Sequence, residues 1–251
     1  MLLKSLRFLM VILTCSCLQP LAAANQKCIC FDIENVLLFV DSKKTSKIGN
    51  ALGYTPEKIQ TELNDILKPL HVKNFTTYAN FYAEIVEAWL TGYISSTEAH
   101  KEGRHYIKKQ CSFLQRARLT EAIDIACTNK QATVFSPLND SVALAKRCKN
   151  AGCTISISAN WNTELFDNLK YVQKASLNFF DEFYISGERG MLAALPAFYD
   201  PIIKKYGKDN VVLIDVLPAN IKAAQACGIK TIHFTSAAAA ERELRAMGFL
   251  S

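Results

Sequence analysis

Residues 28–40 read CICFDIENVLLFV and residues 211–234 read VVLIDVLPANIKAAQACGIKTIHF. Each begins as a short run of apolar and β-branched residues and reaches an acid, Asp32 in the first and Asp215 in the second. The second then passes through PANIKAAQACG, a helical pattern opening on Pro218 and closing on Gly228, into another apolar run, KTIHF from Lys230. Further runs of the same kind are ATVFS from Ala132, CTISIS from Cys153 and EFYIS from Glu182. Between two of them lies NDSVALAKRCKNAG, whose Asn139 and Asp140 read as helix caps and whose Gly152 reads as a stop. Strand and helix alternating in this way predict an α/β chain with a doubly wound parallel sheet, a Rossmann-like core.

One stretch breaks the alternation. From Thr45 to Lys130 no strand-like run occurs, only helical patterns such as TPEKIQTELNDILKPL, NFTTYANFYAEIVEAWL and STEAHKEGRHYIKKQ. This predicts an all-helical insertion over 45–130, with the core formed by 25–44 and 131–251. Tyr78, Phe81, Tyr82 and Trp89 fall near helical spacing and read as the insertion's own packing face.

The N-terminus has a basic start at Lys4 and Arg7, an apolar stretch from Phe8 to Leu18, and Ala22, Ala23 and Ala24 before Asn25. That build predicts a signal peptide over 1–24, cut near Ala24, and an exported, periplasmic or secreted protein. The apolar stretch is shorter than the roughly 20 residues a membrane-spanning helix needs, so no stable membrane anchor is expected. Removing 1–24 takes two of the chain's 29 basic residues and none of its 23 acidic ones, and two of its nine cysteines. An odd number of cysteines remains, whose pairing the sequence leaves open. Cys28 and Cys30 lie on one face of an extended run and read as small core residues. The basic residues fall in small separated groups without interleaved aromatics, so no nucleic-acid partner is expected. The sequence leaves oligomeric state open.

In a parallel sheet, ligands bind beyond the carboxyl ends of the strands. Asp32, Ser158 and Asp215 each close an apolar run, and together they describe two carboxylates and a hydroxyl suited to a divalent cation and a phosphate. On these residues the chain resembles the haloacid dehalogenase superfamily of aspartate-nucleophile hydrolases, most of them magnesium-dependent phosphatases. ICFDIENVLL matches the first motif at Asp32 and Glu34, TISISANW the second at Ser158, ISGERGMLAALPAFY the third region, and VVLIDVLPANI the fourth at Asp215 and Asn220. The helical insertion resembles the family's cap.

The resemblance implies Asp32 as nucleophile and Glu34 as acid and base; Ser158, Ala159 and Asn160 as the phosphate and substrate site; and Mg2+ on Asp32, Glu34 (through its backbone carbonyl) and Asp215. It implies a small phosphorylated substrate. Three positions depart from the family pattern. Glu34 replaces the usual Asp and is longer by one methylene, Ala193 stands where the family has Lys, and Val216 stands where it has a second Asp. Losing one preorganised stabiliser costs roughly 3–4 kcal/mol in transition-state stabilisation. Two readings therefore stand side by side: a weakened phosphatase, and a fold kept for binding or regulation without turnover. Dehalogenation of a haloacid is a lesser alternative, in which Val216 is harmless but Ala193 is not. Arg189, Lys204 and Lys205 are the candidate replacements for the absent lysine.

Overall fold

The computed structural model of the chain describes residues 26–41, 44, 82–110 and 113–251. The expected signal peptide and residues 45–81 of the expected insertion, with Tyr78 and Phe81, lie outside the described residues.

Five strands, β1 (Cys28–Phe31), β4 (Thr154–Ala159), β5 (Glu182–Ile185), β6 (Val211–Asp215) and β7 (Lys230–His233), form one parallel sheet in the order β5-β4-β1-β6-β7. Two short strands, β2 (Leu38–Val40) and β3 (Phe135–Pro137), pair antiparallel in a separate ribbon. The central strands are apolar on both faces because both are covered. Ile29, Phe31, Ile155, Ile157, Val212 and Ile214 face one buried cluster; Cys28, Cys30, Val211 and Leu213 face another, with Phe198, Tyr199 and Ile202.

Two expectations about strands need correction. CICFDIENVLLFV is two strands, because the chain turns at 33–37 through Asn35 in the left-handed region (φ 59°), a conformation asparagine tolerates better than most side chains. ATVFS does not join the parallel sheet. Residues Lys130–Val134 are helical and only Phe135–Pro137 is extended, pairing with β2 at the edge of the fold.

The helices that cover the sheet are α4 (Asn139–Asn150), α5 (Thr163–Val172), α6 (Asp200–Tyr206), α7 (Pro218–Ala226) and α8 (Ala237–Ala246). Helix α7 begins on Pro218 as expected, and Gly228 follows it at φ 79°. Helix α4 starts differently: its N-cap is Leu138, and Asn139 and Asp140 lie inside the first turn.

The described residues between 82 and 130 contain helices and turns without a strand. A turn of π-helix (Tyr82–Glu87) runs into Ala88–Leu90, then come α1 (Ser96–Gln110) and α2 (Phe113–Ala126), followed by α3 (Lys130–Val134). His100 and Arg104 of α1 both bond to Asp124 of α2. The junction with the core is close. Ser186 Oγ donates to Leu90 O at 2.6 Å, and Asn162 Nδ2 donates to Trp89 O at 3.0 Å. Gly92 and Gly187 meet backbone to backbone: a Cβ on Gly92 would lie 2.6 Å from Gly187 O.

Gly187 is equally confined from the other side. A Cβ there would lie 2.7 Å from Thr163 N and 2.9 Å from Trp161 O, backbone atoms that cannot yield as a side chain does. Gly187→Ala is expected to destabilise the protein by about 2–3 kcal/mol, a fall in Tm of roughly 4–10 °C. A thermal melt of the variant checks this, and an unchanged melt means that the two backbones are not tightly seated.

Candidate active site

The strand register brings the expected site residues together. Phe31 pairs with Ile157 on one side and Ile214 on the other, so the next row along the sheet holds Ser158, Asp32 and Asp215. The Asp32 amide donates to Ile214 O at 2.9 Å, which keeps that row aligned. Side chains in one row of a parallel sheet leave the same face. By this alternation the row points toward the face that carries Cys28, Cys30, Tyr199 and Ala193.

Asp215 is fully buried and held at both oxygens: Leu217 N donates to Oδ1 at 2.7 Å and Asn220 Nδ2 to Oδ2 at 2.9 Å. Asn220, which the sequence marked only as part of a motif, thus fixes the carboxylate. Ser158 is also fully buried, and its Oγ has no hydrogen-bond partner. Asp32 is 5% exposed. Burial, then the neighbouring Asp215 charge, raises its pKa well above the ordinary carboxylate range; Glu34 adds to the shift and the Ile33 amide opposes it. Asp215 is raised by burial as well, against the pull of the Leu217 amide, the Asn220 side chain, the Val216 amide and His233. Glu34 keeps solvent-accessible surface on the wall of the cavity, yet protein crowds around it, and the lost hydration raises its carboxyl too.

A cavity of about 270 Å³ opens above the row. Asp32, Glu34, Asn160 and Val216 line it from the core, and Trp89 and Leu90 from the helical segment. The sequence pointed to the core residues. It read Trp89 as packing within the insertion, whereas the indole belongs to the cluster beneath the sheet and also lines the cavity, its Nε1 donating to Ser96 Oγ. Gln131, at the start of the return to the core, lines it as well, with a buried Oε1 that accepts no bond. Nothing local in the sequence distinguishes Gln131.

The other expected residues are placed as follows. Asn160 lines the cavity, but its Oδ1 is engaged by the Ala193 amide at 2.8 Å, so only its Nδ2 is left to meet a ligand. Ala159 is wholly buried in the core cluster, so its side chain is withheld from ligand and only its backbone can contribute. Asn162 caps α5, taking up the Glu164 amide at 3.0 Å. Ala193 is fully buried beside Phe198 and Tyr199. Among the described residues that line the cavity there is neither Lys nor Arg. Arg189 lies against Ala197 O and the Phe198 ring, and Lys205 is bound to Glu182 at the opposite, amino end of β5. Lys204 is exposed on α6. Cys28 and Cys30 are buried free thiols with sulfurs 3.9 Å apart, core residues as expected.

The carboxylates of Asp32 and Asp215 suit magnesium, a hard cation that takes one or two carboxylates and keeps several waters. Burial, which raises both carboxyls, is the cost a bound cation would offset. No group of three or more His, Cys, Asp or Glu side chains capable of holding a metal occurs among the described residues, so the Glu34 carboxylate does not complete a third protein ligand.

Ser158→Ala is expected to leave the protein as stable or up to about 1 kcal/mol more stable, because an unpartnered buried hydroxyl is removed. A melt checks this; a loss of several degrees means that the hydroxyl has a partner in solution.

Comparison with known proteins agrees with this architecture. No protein-family model matches the chain, and no curated protein matches it. Among solved structures it is similar to a HAD family enzyme from Bacteroides thetaiotaomicron, with TM-score 0.54 and 17% identity, over 84% of this chain and 94% of that one. It is similar to a HAD-like family hydrolase from Porphyromonas gingivalis, with TM-score 0.52 and 17% identity over 88% and 99% of the two chains. A dehalogenase matches with TM-score 0.54 and 14% identity, over 83% and 84%. The Bacteroides enzyme has also been solved in complex with magnesium and inorganic phosphate. The chain has the haloacid dehalogenase fold.

Proposed function

We propose that this chain is a slow, magnesium-dependent phosphatase of the haloacid dehalogenase type, acting on a small phosphorylated molecule through Asp32. The observation that carries the reading is the row Ser158, Asp32 and Asp215. An orphaned hydroxyl and two carboxylates with raised pKa values are buried together at the carboxyl ends of adjacent strands. Burying two carboxylates side by side and a hydroxyl without a partner opposes folding, so their presence in one row speaks for a ligand that completes them. The magnesium and phosphate bound by the structurally similar Bacteroides enzyme support the same ligand pair.

In the proposed reaction an oxygen of Asp32 forms a bond to phosphorus as the bond from phosphorus to the leaving oxygen breaks. That oxygen takes the proton of Glu34. Glu34 then accepts a proton from the water that attacks the phosphorus, which releases phosphate and restores Asp32. The direction of the Glu34 shift, upward as protein crowds around it, is that of a proton donor. Ser158 Oγ donates to a phosphate oxygen, and Asn160 Nδ2 adds a donor from the cavity wall. Asp32 and Asp215 would hold magnesium, which would supply positive charge against phosphate and nucleophile. The helical segment forms the cap, presenting Trp89 and Leu90 to the substrate. Export after cleavage near Ala24 belongs to the same proposal, and among the described residues no helix is long and apolar enough to cross a membrane.

A second reading, a binding protein without turnover, is favoured by the lack of any Lys or Arg among the described cavity residues. One assay separates the two: the chain from Asn25 with an aryl phosphate and magnesium, beside Asp32→Asn. Equal rates end the phosphatase reading.

A further inference from the structure

We propose that the cavity takes a substrate bearing its own cation, a small aminoalkyl phosphate whose ammonium group offsets the charge left uncompensated at Ala193. The phosphate half of this statement rests on the phosphatase reading; the ammonium half rests on the cavity wall. Beside the reacting acid Glu34, that wall offers acceptors: the Asp32 carboxylate, and Gln131 Oε1, which is buried and has no donor. The described residues that line it include no Lys, Arg or His to satisfy them. Magnesium on Asp32 and Asp215 brings charge but no N–H, so it leaves Gln131 Oε1 without a hydrogen-bond donor.

An ammonium group supplies what is missing. It presents up to three N–H donors and one positive charge, and the indoles of Trp89 and Trp161 in the same wall are the aromatic surface on which cations rest best. Size sets the scale of the ligand. At about 270 Å³ the cavity lies just below the range of sites for drug-sized molecules, which suits a phosphate separated from its nitrogen by a short alkyl chain. A substrate of this kind brings into the site a charge that relatives with the motif lysine provide from the protein. Bond making and breaking are those of the proposed reaction; the ammonium takes no part in proton transfer and stays positive throughout.

O-Phosphoethanolamine and propyl phosphate are close in shape and differ in an ammonium against a methyl. With magnesium and the chain from Asn25, kcat/KM is expected to be at least tenfold higher for O-phosphoethanolamine, and equal or lower values overturn the proposal. If neither is hydrolysed, the phosphatase reading has failed, and calorimetry with the same two compounds decides the ammonium half. Tighter binding of O-phosphoethanolamine by tenfold or more sustains it, and equal affinity overturns it. Two variants extend the test. Ala193→Lys is expected to remove most of the preference and Gln131→Leu to narrow it; an Ala193→Lys protein that melts as the wild type, has a lowered acid limb and keeps the full preference also overturns the proposal.

Discussion

Asp32→Asn is expected to abolish the proposed phosphate release and at the same time to make the protein more stable at neutral pH. The first effect follows from the proposed role, since an amide oxygen is too poor a nucleophile to form the phosphoenzyme. The second follows from the environment. Asp32 is buried next to Asp215 with Glu34 nearby, and its carboxyl is held above the ordinary range. A carboxyl whose pKa rises on folding binds its proton more tightly in the folded state, so stability from this group is full below the unfolded pKa. It is lost as pH climbs toward the folded value. At pH 7–8 the wild-type protein therefore bears a penalty that asparagine does not. A higher Tm for the variant at pH 7.5 is therefore expected. The gain shrinks as pH falls toward the unfolded-state value of about 3.9, where Asp32 is increasingly protonated in both states. Magnesium should stabilise the wild type at pH 7.5 more than at pH 5, and stabilise the variant less. Melts at the two pH values, with and without magnesium, check each part. A variant less stable than wild type at pH 7.5 means that Asp32 is paired with a cation the described residues do not reveal.

The row of polar strand ends was legible in the sequence because it needs only two facts. Apolar runs become parallel strands, and residues one step beyond each run lie level with one another. Asp32, Ser158 and Asp215 satisfy both, and the pairings of Phe31 with Ile157 and Ile214 place them in one row. Where the reading failed, the decisive contacts were distant in sequence. CICFDIENVLLFV looks continuous because hydrophobicity alone does not show that Asn35 turns the backbone. ATVFS has strand-like composition, but its position beside β2 makes a helical turn and a short edge strand of it. Gln131 and Trp89 enter the cavity only because the helical segment folds back over the sheet, held by the contacts of Leu90 with Ser186 and Trp89 with Asn162. Asn160 shows a finer limit: its type and place suited phosphate binding, yet its carbonyl oxygen is occupied by the Ala193 amide.

Ala193→Lys is expected to raise phosphatase activity by about a hundredfold, the scale on which a single preorganised electrostatic group acts. The geometry makes this a real test. Ala193 is fully buried, its amide is fixed by Asn160, and it lies on the face toward which the row of Ser158, Asp32 and Asp215 points. A lysine there has two outcomes open to it. If its stem runs past Tyr199 to the carboxylates, the ammonium meets charges that have no counterion, and the pKa of Asp32 falls toward the ordinary range. The nucleophile is then ionised at lower pH, so the acid limb of the rate profile moves down. If the stem cannot reach, a charge is left among Phe198, Tyr199 and Ile202, and an uncompensated buried charge costs about 3–5 kcal/mol, visible as a large fall in Tm. Rate, acid limb and Tm together separate these cases. A folded variant with unchanged rate and unchanged pH profile means that Ala193 is not what limits this site, and attention passes to Glu34, whose added methylene displaces the acid by about 1.5 Å, enough for roughly a hundredfold in rate.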